Sequence, residues 1–211
     1  MKRALALALT VIVAASASPA FAQMNARRAP ARSGPLTTAG RRCDADVVRA
    51  AGRVRGRLVV CRWLFVMDPV SESNTSRDFG VLWVQAKLNP ENGWCAKRAP
   101  LKLFAPSNAR VHARSPRSVT ATENRSVVTK VIADAQGAAA TQARVRKSFI
   151  LHPRRLRRTF DRELGRSRVA WAGDTRRTVA LATGIEISWP QGQSLRAGRF
   201  GFRPTVGVCG P

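Results

Sequence analysis

The sequence predicts an all-β protein: a single β-sandwich-like domain of short antiparallel strands with at most one or two short helices. Three observations carry that expectation. Runs rich in β-branched and aromatic residues recur along the chain, separated by turn residues, in the spacing of a sandwich or barrel. A length of 211 residues with 45% hydrophobic side chains suits one ordinary domain with a core. Four cysteines, Cys43, Cys61, Cys95 and Cys209, supply an even count for stapling it.

Taken in order, residues 1–22 read as a secretory signal. Lys2 and Arg3 form a positive start, Ala4 to Ala15 an apolar run, and Ala20-Phe21-Ala22 a small-residue cleavage site after Pro19. The apolar run is too short for a membrane span, which needs roughly 20 residues. The expectation is a secreted protein, extracellular or on the cell surface after cleavage near Ala22, with no transmembrane segment in the mature chain. Residues 23–42 hold Ala, Pro, Gly and Arg without an acid or an apolar period, and read as a flexible basic tail. The disulfide-stapled β-domain is expected over 43–211.

Within it, 54–67 (VRGRLVVCRWLFVM) and 79–88 (FGVLWVQAKL) are the clearest strands. Asn89 to Gly93 is a hairpin-like turn, and Trp94 to Phe104 a third strand, expected to break at Pro100. Further strands are expected at 109–113, 125–133, 145–151, 166–172, 177–189 and 199–209. One segment, His152 to Gly165, has the spacing of a helix: Leu156, Phe160 and Leu164 fall four apart, Pro153 suits a first turn and Gly165 an end. Four arginines would then crowd the positive end of the helix dipole, which argues against it. Asp134 to Ala143 is a weaker helical candidate.

The cysteines lack a C-x-x-C pair, and only two histidines, His112 and His152, accompany them. Zinc spacing is therefore absent, and no metal or cofactor is expected. Two disulfides are the expected use. If Ala51-Gly52-Arg53 turns a hairpin, positions 43 and 61 are equidistant from Gly52 and face each other, within disulfide reach. In a meander of the first three strands, Cys61 and Cys95 lie about two strand spacings, roughly 10 Å, apart, so Cys95 is expected to pair with Cys209.

No nucleophile elbow, phosphate loop, H-E-x-x-H or dinucleotide fingerprint occurs. Gly192 to Arg196 starts like G-x-S-x-G but ends in Arg, and reads as a polar loop. The nearest carboxylate pairs are Asp44 with Asp46 and Asp161 with Glu163. Ion pairing with arginine accounts for them more simply than acid–base catalysis. Trp63, Trp83 and Trp171 sit inside apolar runs and are expected in the core, whereas Trp94 and Trp189 lie beside turns and are candidates for the surface. In Arg199 to Arg203 (RFGFR), the two phenylalanines point to one face and the two arginines to the other.

Charge is the strongest remaining signal. The chain carries 37 Lys and Arg against 12 Asp and Glu, a net charge of +25. Acids are missing from 92–122, from 135–160 and after Glu186. Such an excess favours polyanions: wall polymer, acidic polysaccharide or nucleic acid. The densest basic cluster, Arg154, Arg155, Arg157 and Arg158, is the candidate polyanion-binding site. The function expected is non-catalytic binding of anionic polymer. A small hydrolase acting on polysaccharide or cell wall and a structural envelope protein with incidental charge are the alternatives.

Overall fold

The computed structural model describes residues 27, 36–67, 76–112 and 156–210 with their side chains. It adds strand backbone at 31–33, 113–115, 119–122, 125–128, 131–132, 142–146 and 148–150. The expected signal, nine of the twenty residues of the expected tail, residues 134–141 of the weaker helical candidate, His152, Arg154 and Arg155 lie outside the described residues. Among these residues, sixteen strands and no helix are present. They run β1 (Ala31–Ser33), β2 (Leu36–Ala50), β3 (Arg53–Met67), β4 (Arg77–Pro90), β5 (Trp94–Phe104), β6 (Arg110–Ser115), β7 (Val119–Thr122) and β8 (Arg125–Val128). There follow β9 (Val131–Ile132), β10 (Gln142–Arg146), β11 (Ser148–Ile150), β12 (Leu156–Asp161), β13 (Arg166–Thr175), β14 (Val179–Pro190), β15 (Arg199–Phe202) and β16 (Thr205–Val208).

Two antiparallel sheets form the body. The first has the order β2-β3-β4-β14-β6. In the second, β12-β13-β5-β15, β16 succeeds β15 along the same edge of β5. Two three-stranded ribbons, β1-β10-β9 and β11-β8-β7, complete the described strands. The expected sandwich-like architecture is therefore present. Its core follows from the period of two: Leu82, Val84, Ala86 and Leu88 of β4 and Ile185, Ile187 and Trp189 of β14 meet Leu101 and Leu103 of β5 and Val169 and Trp171 of β13. The opposite face of the first sheet gathers a second cluster, with Leu36, Trp63, Phe65, Met67, Phe79, Val81 and Trp83. Burial on both faces explains why β4 reads as a continuous apolar run. Each of these large side chains contributes roughly 1.5–3 kcal/mol by leaving water.

Both disulfides are the expected ones: Cys43–Cys61 with Cα atoms 4.1 Å apart, and Cys95–Cys209 at 5.0 Å. The β2–β3 hairpin turns on two residues, Ala51 and Gly52, both with positive φ (48° and 74°), as a primed turn requires. Ala50 pairs Arg53 and Arg49 pairs Val54; Val48 then pairs Gly56, so Arg55 is an extra residue in β3. That bulge moves the register by one and sets Cys43 opposite Cys61.

Five expectations are corrected. The strands 54–67, 79–88 and 94–104 are not one meander: β4 lies in the first sheet and β5 in the second, and Asn89 and Pro90 still pair with β3. The link is therefore no hairpin, and the premise that set Cys95 against Cys209 fails although that bridge is present. His152 to Gly165 is not a helix: Leu156–Asp161 pairs with β13, and 162–165 is a turn in which Asp161 Oδ1 accepts the Leu164 N–H at 3.0 Å. The strand does not break at Pro100, because Pro100 falls where β5 changes partner from β15 to β16 on that edge. Strand pairing begins before Cys43, within the expected tail: Ala31–Ser33 pairs β10, and β2 pairs β3 from Leu36, which packs in the second cluster. Trp189 is in the core at 5% exposure, over Gly80, which has no Cβ to displace its ring.

Candidate functional site

The second sheet turns its other face outward. On β5 the buried residues Ala99, Leu101 and Leu103 alternate with Arg98, Pro100 and Lys102. On β13, Ser167, Val169 and Trp171 point inward, and Arg168, Ala170 and Ala172 outward. Register then assembles the outward set: Arg157 of β12 lies beside Ala170, which lies beside Pro100; Thr159 lies beside Arg168, and Ala172 beside Arg98. Arg98 in turn lies beside Thr205 of β16, and Arg203 occupies the link between β15 and β16.

The result is an open cleft of about 710 Å³, lined by Arg98, Arg157, Arg168 and Arg203 around a floor of Pro100, Ala170 and Ala172, with Thr159 and Thr205 at its margin. The small floor residues keep the centre low, and the long arginines form the wall. Among the described residues, no acidic side chain lines the cleft. The nearest acid along β12, Asp161, is held by Arg166 at 3.6 Å. None of the four arginines joins an ion pair among the described residues. The Nε of Arg168 is buried without a hydrogen-bond partner. Chemically this is an array of forked donors with unspent hydrogen-bonding capacity, matched to phosphate, sulfate or carboxylate oxygens.

The four-arginine cluster singled out in the sequence divides here. Arg157 lines the cleft. Arg158, its neighbour along a strand, faces the side of Leu156, which packs on the core. Arg154 and Arg155 lie outside the described residues. Sequence reasoning missed Arg98, Arg168 and Arg203 as partners of Arg157. Arg98 lies in an acid-free stretch, and Arg203 had been placed on the solvated face of RFGFR. Only the sheet order brings them together.

The remaining polar candidates have structural occupations. Arg42 pairs Asp44 at 3.3 Å, and Asp46 Oδ1 accepts the Val47 N–H at 2.7 Å. His112 Nε2 and Arg77 Nε both bond the Oγ of buried Ser188, at 2.8 and 2.9 Å. Trp94 carries the Arg55 guanidinium 4.5 Å above its ring. Among the described residues, one group has metal-ligand spacing, Cys95, Asp174 and Cys209. Its sulfurs are joined in a disulfide, and Asp174 accepts from Lys97 Nζ at 2.6 Å and the Gly210 N–H at 2.8 Å. A cysteine ligates a metal as its thiolate, so this bridged group does not suit one. A second cleft of about 670 Å³ mixes signs, with Asp46 and Glu91 beside Arg27 and Arg57.

Fold and cleft together define a disulfide-stapled β-sandwich-like protein with a cationic cleft on one sheet. Compared with known proteins, the chain matches no family model, and no curated protein or solved structure is significantly similar to it.

Proposed function

We propose that this protein is a non-catalytic binder of anionic polymers, acting outside the cell after signal cleavage near Ala22. The observation that carries the reading is the cleft: four arginines from four separate stretches of chain line one concavity, with no acid among its described lining residues. Guanidinium forks grip oxoanions by paired hydrogen bonds as well as by charge. Two disulfides fit an extracellular protein, because thiols stay reduced in most cytosols.

The test is affinity for heparin and for duplex DNA as a function of salt. Wild type is compared with a variant carrying Arg98, Arg157, Arg168 and Arg203 changed to Ala. A charge-matched control changes the exposed Arg49, Arg53, Arg162 and Arg177 instead. On duplex DNA each phosphate contact contributes a salt slope of about −0.9, so the cleft variant is expected to flatten the slope by up to about 3–4 units, the limit reached if a backbone laid across the mouth meets all four arginines. The control retains most of it. Equal losses in both variants would reduce the reading to net charge, and no binding at low salt would end it. Intact mass of the secreted protein tests the compartment: the expected N-terminus is Gln23, and full-length protein in the membrane fraction would overturn it.

A further inference from the structure

The same cleft discriminates among polyanions. We infer that its ligand is a short stretch of a densely charged acidic glycan, a single chain with acidic groups on successive sugars, and not a nucleic acid. The inference rests on the binding reading above and deepens it.

Size comes first. From β12 to the β15–β16 link the cleft crosses three strand spacings, roughly 14 Å. Its volume, about 710 Å³, is that of a site for a compact ligand of a few rings. A duplex can lay a backbone across its mouth but does not enter it. One single chain does, with only a few repeat units inside.

Charge placement comes second. Arg157 and Arg203 stand at opposite ends of the row that runs Arg157, Ala170, Pro100 across the sheet. Arg168 and Arg98 flank the floor at the two ends along the strands. The cations thus surround the floor instead of converging on one point. A lone phosphate or sulfate reaches one or two of them. A chain with a charge on each unit reaches several.

The third point separates glycan from nucleic acid. Proteins that hold single-stranded nucleic acid stack bases on exposed aromatic rings. Among the described residues, the one aromatic lining this cleft is Trp171, which is 4% exposed and belongs to the core. The floor is Pro and Ala, and the margin offers two hydroxyls, Thr159 and Thr205. Small apolar surface beside hydroxyls and guanidinium forks complements a sugar ring carrying acidic groups. It offers a base nothing to stack on.

The experiment titrates the whole oxidised protein with heparin-derived di-, tetra-, hexa- and octasaccharides, with oligodeoxythymidylates of matched charge, and with sodium sulfate, at constant ionic strength. Affinity is expected to rise from the disaccharide and to level off by about the tetrasaccharide, once the roughly 14 Å span is filled. The oligothymidylate should bind at least about tenfold more weakly, having no stacking platform. Single Arg→Ala changes at 98, 157, 168 and 203 should each weaken the hexasaccharide about tenfold or more. Arg→Lys at the same positions, which keeps charge and fold but removes the fork, should recover only part of the loss. Oligothymidylate binding as tightly as the hexasaccharide overturns the glycan assignment while leaving polyanion binding intact. Displacement of the hexasaccharide by millimolar sulfate also overturns it, since the cleft would then be a compact-anion site. Loss of all binding, heparin included, instead defeats the underlying reading.

Discussion

Changing Arg168 to Met should make the protein more stable and a worse binder. Arg168 sits between Thr159 and Lys102 on the outer face, among cations, with its Nε–H buried and unbonded. A buried donor left without a partner costs about 1–3 kcal/mol. Met keeps the unbranched apolar stem while removing the donor and the charge. After allowance for lost packing of the guanidinium, a net gain of about 1 kcal/mol is expected. In a domain of this size that raises Tm by about 2–4 °C. The ordering should reverse with ligand present. A ligand at a hundred times its Kd stabilises wild type by about 2.7 kcal/mol, and the variant, binding at least about tenfold more weakly, gains correspondingly less. Thermal melts of both proteins, with and without heparin hexasaccharide, therefore cross. A variant that melts well below wild type in the absence of ligand refutes the argument, because Arg168 would then be holding the sheet together.

Three further outcomes follow from particular residues. Arg157→Ala should weaken heparin binding about tenfold and Arg158→Ala by less than about twofold, since adjacent strand residues face opposite ways; equal effects in a titration would contradict the register. Replacing the cysteines pairwise by Ala should cost about 3 kcal/mol for Cys43–Cys61, separated by 18 residues, and more, about 4.7, for Cys95–Cys209, separated by 114. Urea unfolding checks that order, and a reversed order would count against a loop-closure origin. Gly80→Ala should destabilise by about 1–3 kcal/mol, because a Cβ there comes within 2.5 Å of the Phe65 carbonyl oxygen and 3.3 Å of the Trp189 ring. An unchanged urea midpoint would mean that β3 and β4 can separate locally without cost.

Much of the fold was legible because period-two alternation and turn residues are local signals. The strands from 53 to 104 were visible in composition alone. The Asn89 to Gly93 segment was misjudged as a hairpin, because turn residues mark a reversal without saying whether the next strand stays in the same sheet; Asn89 and Pro90 belong to β4, and β5 crosses to the other sheet. The Cys43–Cys61 pairing was legible for a reason only half right. The expected three-residue turn is a two-residue turn followed by the bulge at Arg55, and the two arrangements happen to give the same register. Without the bulge, Cys43 would face Val60. The helical reading of His152 to Gly165 failed because a spacing of four satisfies both periods: Leu156 and Phe160 share a face in a helix and in a strand alike. Leu164, apolar-side in the helix, is 64% exposed in the turn. The cleft was the least legible part. Clustering in sequence marks Arg157 and Arg158 as neighbours, whereas the sheet unites Arg157 with Arg98, Arg168 and Arg203, over a hundred positions from end to end. That union depends on strand order, which no local pattern encodes.

The Cys95–Cys209 bridge gives the cleft a history in time. β5 is delivered early and waits, its outer edge bare, for β15 and β16, which emerge some hundred residues later in synthesis or export. A strand pairing of such long range is slow to form, and an unpaired edge is meanwhile open to wrong partners. The first sheet suffers less, since the β2–β3–β4 meander is local. Folding is thus expected to proceed from a meander that closes early to a second sheet sewn shut last, with oxidation of Cys95 locking the seam. Arg203, on the link between the final two strands, reaches its place only at that step. Competence to hold a ligand is then a property of the finished, oxidised chain alone, and nascent copies in transit carry most of the charge without yet having the cleft.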